Sequence, residues 1–275
     1  MSLLRVQGLT KKFGGLNAVE DLSFDIQTGS VHSIIGPNGA GKTTLLNLLT
    51  GVYQPSSGKI AFEEHDLTGR APHEYASHGI ARTFQNLQVF FNMSALENVM
   101  VGRYMHERCG LASTLLRGPG LKRAEKTCRD EAAELLRYVG LQDYLSSASD
   151  SMPYGALKRL EIARALATKP KMMLLDEPAA GLNPTEALEL ENLIGRLTER
   201  GVTVVLVEHN MRLVMGVSDH ILVLDYGRKL AEGPAQSVRN DPKVIEAYLG
   251  SSVPHDGSFG KDIAAAVTIG VEMRR

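Results

Sequence analysis

Gly36-Pro37-Asn38-Gly39-Ala40-Gly41-Lys42-Thr43 follows a short apolar run and opens a helical pattern. Glycines at this spacing let a backbone curl until successive N–H groups converge on one point, which suits an oxyanion. Lys42 adds a cation and the start of the helix adds its positive end. The chemistry such a loop serves is capture of a phosphate chain, with Lys42 on the terminal phosphates, Thr43 on Mg²⁺ and Thr44 further back along the chain. Two more groups of polar residues sit at strand ends downstream. The apolar Met172–Leu175 runs into Asp176 and Glu177, which point different ways, so that Asp176 suits a metal and Glu177 suits a base that polarises a water. Val204–Val207 runs into Glu208 and His209, and a histidine there can contact a terminal phosphate and orient the same water. Either strand alone reads equally well as a strand with a polar turn; the glycine loop upstream gives both their meaning.

The elements that must position these groups follow from periodicity. Leu22, Phe24 and Ile26 alternate with polar residues as in a half-buried strand. Val31–Ile35 is a buried strand, Lys42–Thr50 a helix stopped by Gly51, and Gly58–Phe62 and Ile80–Phe84 are strands with a short helix at Pro72–Ser77 between them. Ala95–Met105 and Leu121–Val139 are helical, the latter with Cys128, Ala132, Leu136 and Val139 on one face. After position 165 strands and helices alternate again: strand Met172–Leu175, helix Pro184–Glu199, strand Val202–Val207, helix Asn210–Met215, strand His220–Leu224. This pattern predicts an α/β fold with a mostly parallel sheet, in which ligands bind at the C-terminal strand ends. Residues 1–250 read as one domain, with 1–85 and 166–250 forming the sheet core, 86–165 an inserted helical subdomain, and 251–275 a mobile tail.

Composition narrows the function. Thirty Lys+Arg against thirty-one Asp+Glu leave a net charge of -1, so no bulk positive field exists to hold nucleic acid. No apolar stretch approaches the roughly 18 residues of a spanning helix. The N-terminus lacks a secretory h-region, and Cys109 and Cys128 have no ligand-like spacing, as in reduced thiols of a cytosolic protein. Apart from His209, the histidines fit no ligand pattern and read as surface residues.

The segment Met152-Pro153-Tyr154-Gly155-Ala156-Leu157-Lys158-Arg159-Leu160-Glu161-Ile162-Ala163-Arg164, just upstream of the Asp-Glu strand, resembles the signature of ABC-type ATPases. The resemblance runs from Leu3 to Gly250 and implies an ABC-type P-loop core with an antiparallel β subdomain and an inserted helical one. It places Phe13 on adenine, Gln85 on Mg²⁺ and the lytic water, Tyr154 and Gly155 on the γ-phosphate of ATP held by a second copy, and Ala180–Asn183 at the crossing between subunits. Two positions depart from the family pattern: Pro153 replaces the signature serine, and Asn183 stands where aspartate is usual. Together with Ala81–Leu87, the long Tyr104–Lys122 segment and the ending Val244–Gly250, the signature variant is similar to the ATP-binding subunits of branched-chain amino-acid importers and their urea and short-chain amide relatives. The resemblance implies a Mg²⁺-dependent ATPase, peripheral on the cytoplasmic membrane face, paired with a second cassette and docked on separate permease subunits near Phe90, Phe91 and Met93, with no solute bound by the chain itself. A soluble ABC ATPase of translation or chromosome maintenance is the rival; the 116 residues from Gly36 to Met152 contain no sustained heptads, which argues against it.

Overall fold

The computed structural model describes residues 2–104 and 119–250. The Leu121 side chain, Cys109, most of the Tyr104–Lys122 segment and the tail reading of 251–275 lie outside the described residues. Two sheets form the frame. In the first, β1 (Ser2–Phe13) pairs antiparallel with β2 (Leu16–Gln27) on one side and with β4 (Ser57–Phe62) on the other, and a short β5 (His65–Asp66) completes the order β2-β1-β4-β5. The alternation of Leu22, Phe24 and Ile26 is the alternation of its buried face.

The second sheet has the order β10-β9-β3-β8-β7-β6. Its strands β3 (Val31–Ile35), β6 (Ile80–Arg82), β7 (Met172–Asp176), β8 (Thr203–Val207) and β9 (His220–Asp225) run parallel, and β10 (Arg228–Gly233) closes one edge antiparallel. The central strands β3, β7 and β8 are buried along their whole length, which is why their sequences are nearly continuous apolar runs. One face, with Ile34, Leu174, Val205 and Leu222, packs on helix α1 (Lys42–Leu49) and the first sheet. The other face, with Met173, Leu175, Val204 and Leu206, shares a core with helices α3 (Ala95–Arg103), α4 (Pro119–Tyr138), α5 (Tyr154–Ala167) and α6 (Pro184–Glu199). Helix α2 (Pro72–Ser77) seats Tyr75 under the first sheet. Helices α7 (Met211–Val217), α8 (Ala235–Arg239) and α9 (Pro242–Gly250) cover the β9–β10 edge.

Gly51 takes a left-handed φ of 71° just past α1, as expected of a helix terminator. Strand β6 ends at Arg82, two residues short of the expected Phe84; β5, β10 and α8 were not foreseen because elements of two to six residues carry little periodicity, and α9 was not foreseen either. Among the described residues no helix is long and apolar enough to cross a membrane. Cys128 is buried.

The surface reading of the histidines is wrong at His32, which is 2% exposed. It lies opposite His220 on the neighbouring strand, and their Nε2 and Nδ1 atoms are 3.0 Å apart. A partner 188 positions away in the chain leaves no sequence signal. Burial, reinforced by His220, pushes the His32 imidazole down to about 4, so it is neutral at pH 7. A group with a depressed pKa stabilises the fold above its unfolded pKa of about 6.5 and loses that contribution as pH falls towards 4. Replacing His32 with Gln is therefore expected to remove roughly 3 kcal/mol of the stability lost between these pH values, measured by urea denaturation at each pH. An unchanged pH slope contradicts the buried neutral assignment.

Candidate nucleotide site

The phosphate loop is built by its glycines. Gly41, with φ 96°, caps α1 from a left-handed conformation, and a Cβ there would collide with the carbonyl oxygen of Ala18. No side chain caps α1 and its first turn holds no acid, so its N–H groups face the loop uncontested. Lys42 Nζ donates to the carbonyls of Gly36 (2.7 Å) and Pro37 (2.9 Å), arching across the loop that its own residues frame. Burial pushes the Lys42 ammonium below the usual lysine range, while Glu177 and Asp176 oppose the shift. Asn38, Gly39 and Thr43 are exposed, and Thr44 and Pro37 are half-buried, whereas Gly36 and Ala40 are buried. The hydroxyl-bearing ring of Tyr248, in α9, hydrogen-bonds to the backbone of Gly36.

Because β3, β8, β7 and β6 are adjacent and parallel, their C-terminal ends share one edge, and the expected residues meet there. Glu177 follows β7 in a left-handed conformation, φ 47°, unusual for a residue with a side chain, and its amide donates to Val207 at the end of β8. Its Oε2 accepts a hydrogen bond from Gln85 Nε2 at 3.1 Å. His209 Nδ1 lies 3.8 Å from Glu177 Oε1, beyond hydrogen-bond range, and the ring is 66% exposed.

Asp176 presents a feature the sequence reading did not contain. Its Oδ2 is bound by Arg82 Nη2 at 2.8 Å in a pair whose side chains are 6% and 7% exposed, Arg82 given first. Arg82 also donates to Asn47 Oδ1 of α1 at 2.6 Å, so one guanidinium ties β6, β7 and α1. Such a pair is costly to break from one side, because the remaining charge stays buried. The pairing was invisible because it joins positions 82 and 176 through sheet order alone. Glu208 was similarly missed: its buried carboxylate accepts N–H bonds from Ala179, His209 and Asn210, holding the loops after β7 and β8 to each other.

Phe13, at the end of β1, is 44% exposed and stacks edge-on with Tyr53, with Lys11 Nζ 5.0 Å from its ring. Phe13 and Tyr53 thus form a pair of rings under a cation, of which only Phe13 stands out in the sequence.

The signature segment lies on α5. Pro153 is its N-cap and contributes no side-chain cap, and the first turn has no acidic residue, so the N–H groups of Tyr154, Gly155 and Ala156 are open to an anion. Gly155 is buried, and a Cβ there would strike the Glu186 carboxylate. Glu186 is itself held by Asn183, which caps α6: Asn183 Oδ1 accepts from Glu186 N (3.0 Å), and Asn183 N donates to Glu186 Oε2 (3.0 Å). Asparagine and aspartate are equally good caps, so the departure at position 183 keeps the local structure. Tyr154 is exposed and lies against Gly181.

Three residues spaced along one face of α5 fasten the loop that begins at Gln85. Lys158 Nζ donates to the Gln85 carbonyl (3.0 Å), Glu161 Oε1 accepts from Gln88 N (2.6 Å), and the Arg164 guanidinium lies 5.3 Å from the Phe90 ring. Asn98 completes the hold, accepting from Phe90 N (2.9 Å) and donating to Phe90 O (3.0 Å). Burial pushes the Glu161 carboxyl up, opposed by the Gln88 amide, Lys158 and Arg164. Phe90 and Phe91 stay exposed and Met93 is half-buried. Glu161→Gln weakens a charge-assisted bond worth about 1.5–3 kcal/mol, and the expected result is unchanged nucleotide affinity with turnover lowered about tenfold, read by separating kcat from KM. Equal losses in affinity and turnover contradict a role confined to the Gln85 loop.

A glycine loop that opens a helix, two carboxylates at a neighbouring strand end and an uncapped helix tip, on a core of one mostly parallel and one antiparallel sheet, are the features of an ATP-binding cassette. The chain belongs to the ABC transporter family as an ATP-binding, ATP-hydrolysing subunit: residues 19–180 match the ABC transporter family model. Residues 228–254 match a second family model, described as branched-chain amino acid ATP-binding cassette transporter. The chain is 44% identical to the high-affinity branched-chain amino acid transport ATP-binding protein BraF of Pseudomonas aeruginosa, over 91% of this chain and 98% of that one. It is equally similar to LivG of Salmonella typhimurium, with 44% identity and the same shares covered. Among solved structures, an ATP-binding cassette of an ABC transporter in its ADP conformation superposes with a TM-score of 0.80 at 34% identity, covering 91% of this chain and 100% of that one. A dimeric cassette in a post-hydrolysis state, bound to ADP and phosphate, superposes with a TM-score of 0.72 at 25% identity over 84% of this chain and 98% of that one.

Proposed function

We propose that this chain powers uptake of branched-chain amino acids, as a cassette peripheral on the cytoplasmic face of the membrane, docked on separate permease subunits and paired head to tail with a second cassette. The observation that carries the reading is the convergence of Lys42, Gln85, Asp176 and Glu177 on one sheet edge, combined with the similarity to BraF and LivG over nearly their full length.

The geometry supports the following roles. ATP lays its adenine on Phe13 and its phosphates in the loop Gly36, Pro37, Asn38, Gly39, Ala40, Gly41, with Lys42 and Thr44 on the phosphate oxygens. The hydroxyl of Thr43, the amide oxygen of Gln85 and the Asp176 oxygen not engaged by Arg82 would hold Mg²⁺, which prefers oxygen donors. Mg²⁺ bound there would neutralise charge on the phosphates. Glu177, held by Gln85, takes the proton of the attacking water, and exposed His209 orients that water and the departing phosphate. Tyr154 and Gly155 at the open tip of α5 bind the γ-phosphate of the partner's nucleotide. Residues 86–165 transmit closure through Lys158 and Glu161 to the Gln85 loop, and exposed Phe84, Phe90 and Phe91 offer the permease an apolar contact.

Deleting the gene in its source strain tests this: uptake of labelled leucine, isoleucine and valine is lost and returns with the wild-type chain but not with Glu177→Gln. Unchanged leucine uptake, or selective loss of urea uptake, overturns the assignment of the solute. Pro153→Ser restores a hydroxyl at the signature. Because the open backbone N–H groups already serve the anion, turnover is expected to change by less than about tenfold, the reach of one neutral hydrogen bond; a larger rise means that Pro153 cripples the site.

A further inference from the structure

We infer that His32, His220 and Glu232 form a binding site for a divalent transition-metal ion of the Zn²⁺ type, at the end of the sheet opposite the nucleotide. His32 and His220 are register partners on the adjacent parallel strands β3 and β9, so both side chains leave the same face side by side. Glu232 reaches them from the antiparallel edge strand β10. One ligand atom from each of the three lies within 4.8 Å of the others.

The distances suit a metal. The facing nitrogens, His32 Nε2 and His220 Nδ1, are 3.0 Å apart. Two imidazoles on a tetrahedral ion at about 2.0–2.1 Å stand roughly 3.3 Å apart, so the pair needs to open by only a few tenths of an ångström. Neutral imidazole is the ligating form, and burial already keeps His32 neutral. In the empty site one ring donates its proton to the other. On metal binding that proton moves to the donor ring's second nitrogen, and both facing lone pairs turn to the ion.

The surroundings leave room. The three residues line a cavity of about 560 Å³ between the sheets, together with Phe24, Asp219 and Lys229. Lys229 Nζ is bound to Glu232 Oε2 at 2.7 Å and also to the Ser23 carbonyl at 2.7 Å, so the ammonium keeps an acceptor when the carboxylate turns to a metal. Water completes the fourth position. Two imidazoles and one carboxylate select borderline ions such as Zn²⁺ or Co²⁺ over Mg²⁺ and Ca²⁺, which want oxygen. The site is also distinct in space: Gly36 lies four positions beyond His32, about 13 Å of extended chain. An ion there ties the edge strand β10 to the central strand β3.

The test titrates Co²⁺ into the untagged, chelator-treated chain without nucleotide. A single equivalent is expected to give the intense visible band of four-coordinate Co²⁺, to be displaced by Zn²⁺, and to raise the Tm. The band is expected to persist in Lys42→Ala, to vanish in His32→Gln and in the half-exposed His220→Asn, and to need at least about tenfold more Co²⁺ in Glu232→Gln. Circular dichroism establishes that each variant is folded. Absence of a stoichiometric band in the wild type, or an undiminished band in folded His220→Asn, overturns the assignment.

Discussion

Lys42→Ala is expected to abolish useful nucleotide binding while leaving the fold intact. The ammonium is the cation the loop supplies, and it is held in place by the carbonyls of Gly36 and Pro37. Charge-assisted hydrogen bonds to phosphate contribute about 1.5–3 kcal/mol each, so losing even the larger of these weakens ATP binding by roughly a hundredfold. Turnover of residual bound ATP falls by a further ~10²–10³, because the same charge faces the developing negative charge of the transition state. Partial burial depresses the lysine's pKa, and removing it takes away a cation that faces Glu177 and adds to Arg82 beside Asp176, so the loss is electrostatic as well as local. Isothermal titration with ATP and with ADP measures the effect, and circular dichroism establishes the fold. Normal ATP affinity in a folded variant refutes the phosphate-cradle assignment.

Glu177→Gln separates binding from chemistry. Gln85 donates to Glu177 Oε2 at 3.1 Å, and a glutamine at 177 keeps an oxygen to accept that bond. The substitution therefore preserves shape and removes basicity. Loss of a general base costs about 10²–10⁴ in rate, whereas ATP affinity is expected to stay within a few-fold. Single-turnover hydrolysis read against equilibrium binding distinguishes the two. Undiminished hydrolysis removes Glu177 from the role of base and leaves the strained backbone at φ 47° to be explained otherwise.

How much of this was legible in the sequence depends on whether a feature is local. The glycine loop, the helix behind it and the polar ends of β7 and β8 each rest on contiguous residues, and periodicity placed their elements within a residue or two. Strand order was not contiguous. The resemblance implied that these ends meet, but the residues that bring them together, Arg82 on Asp176 and Glu208 between two loops, join positions separated by 94 and 29 residues. The same is true of the α5 face. Its sequence was read as a signature helix, yet the contacts of Lys158, Glu161 and Arg164 with residues 85–90 appear only when the helix is packed. His32 was misread because a histidine at the centre of an apolar strand looks anomalous until its partner on β9 is seen. Asn183 keeps the local structure at its departure from the family pattern, since the amide oxygen of asparagine caps α6 as an aspartate carboxylate oxygen does.

The helix tip of α5 is open to an anion while its own chain supplies one phosphate loop. The central claim is that a nucleotide is completed by the loop of one copy and the tip of the other. Light-scattering mass of Glu177→Gln with saturating ATP, alone and combined with Tyr154→Glu, tests it most directly. A carboxylate at the exposed first position of α5 leaves the fold and the loop of its own chain untouched but opposes a phosphate arriving from outside. The expected result is a two-chain mass for Glu177→Gln with ATP and a one-chain mass for the double variant, although both bind ATP. A one-chain mass for ATP-loaded Glu177→Gln, or a two-chain mass indifferent to Tyr154→Glu, contradicts the claim.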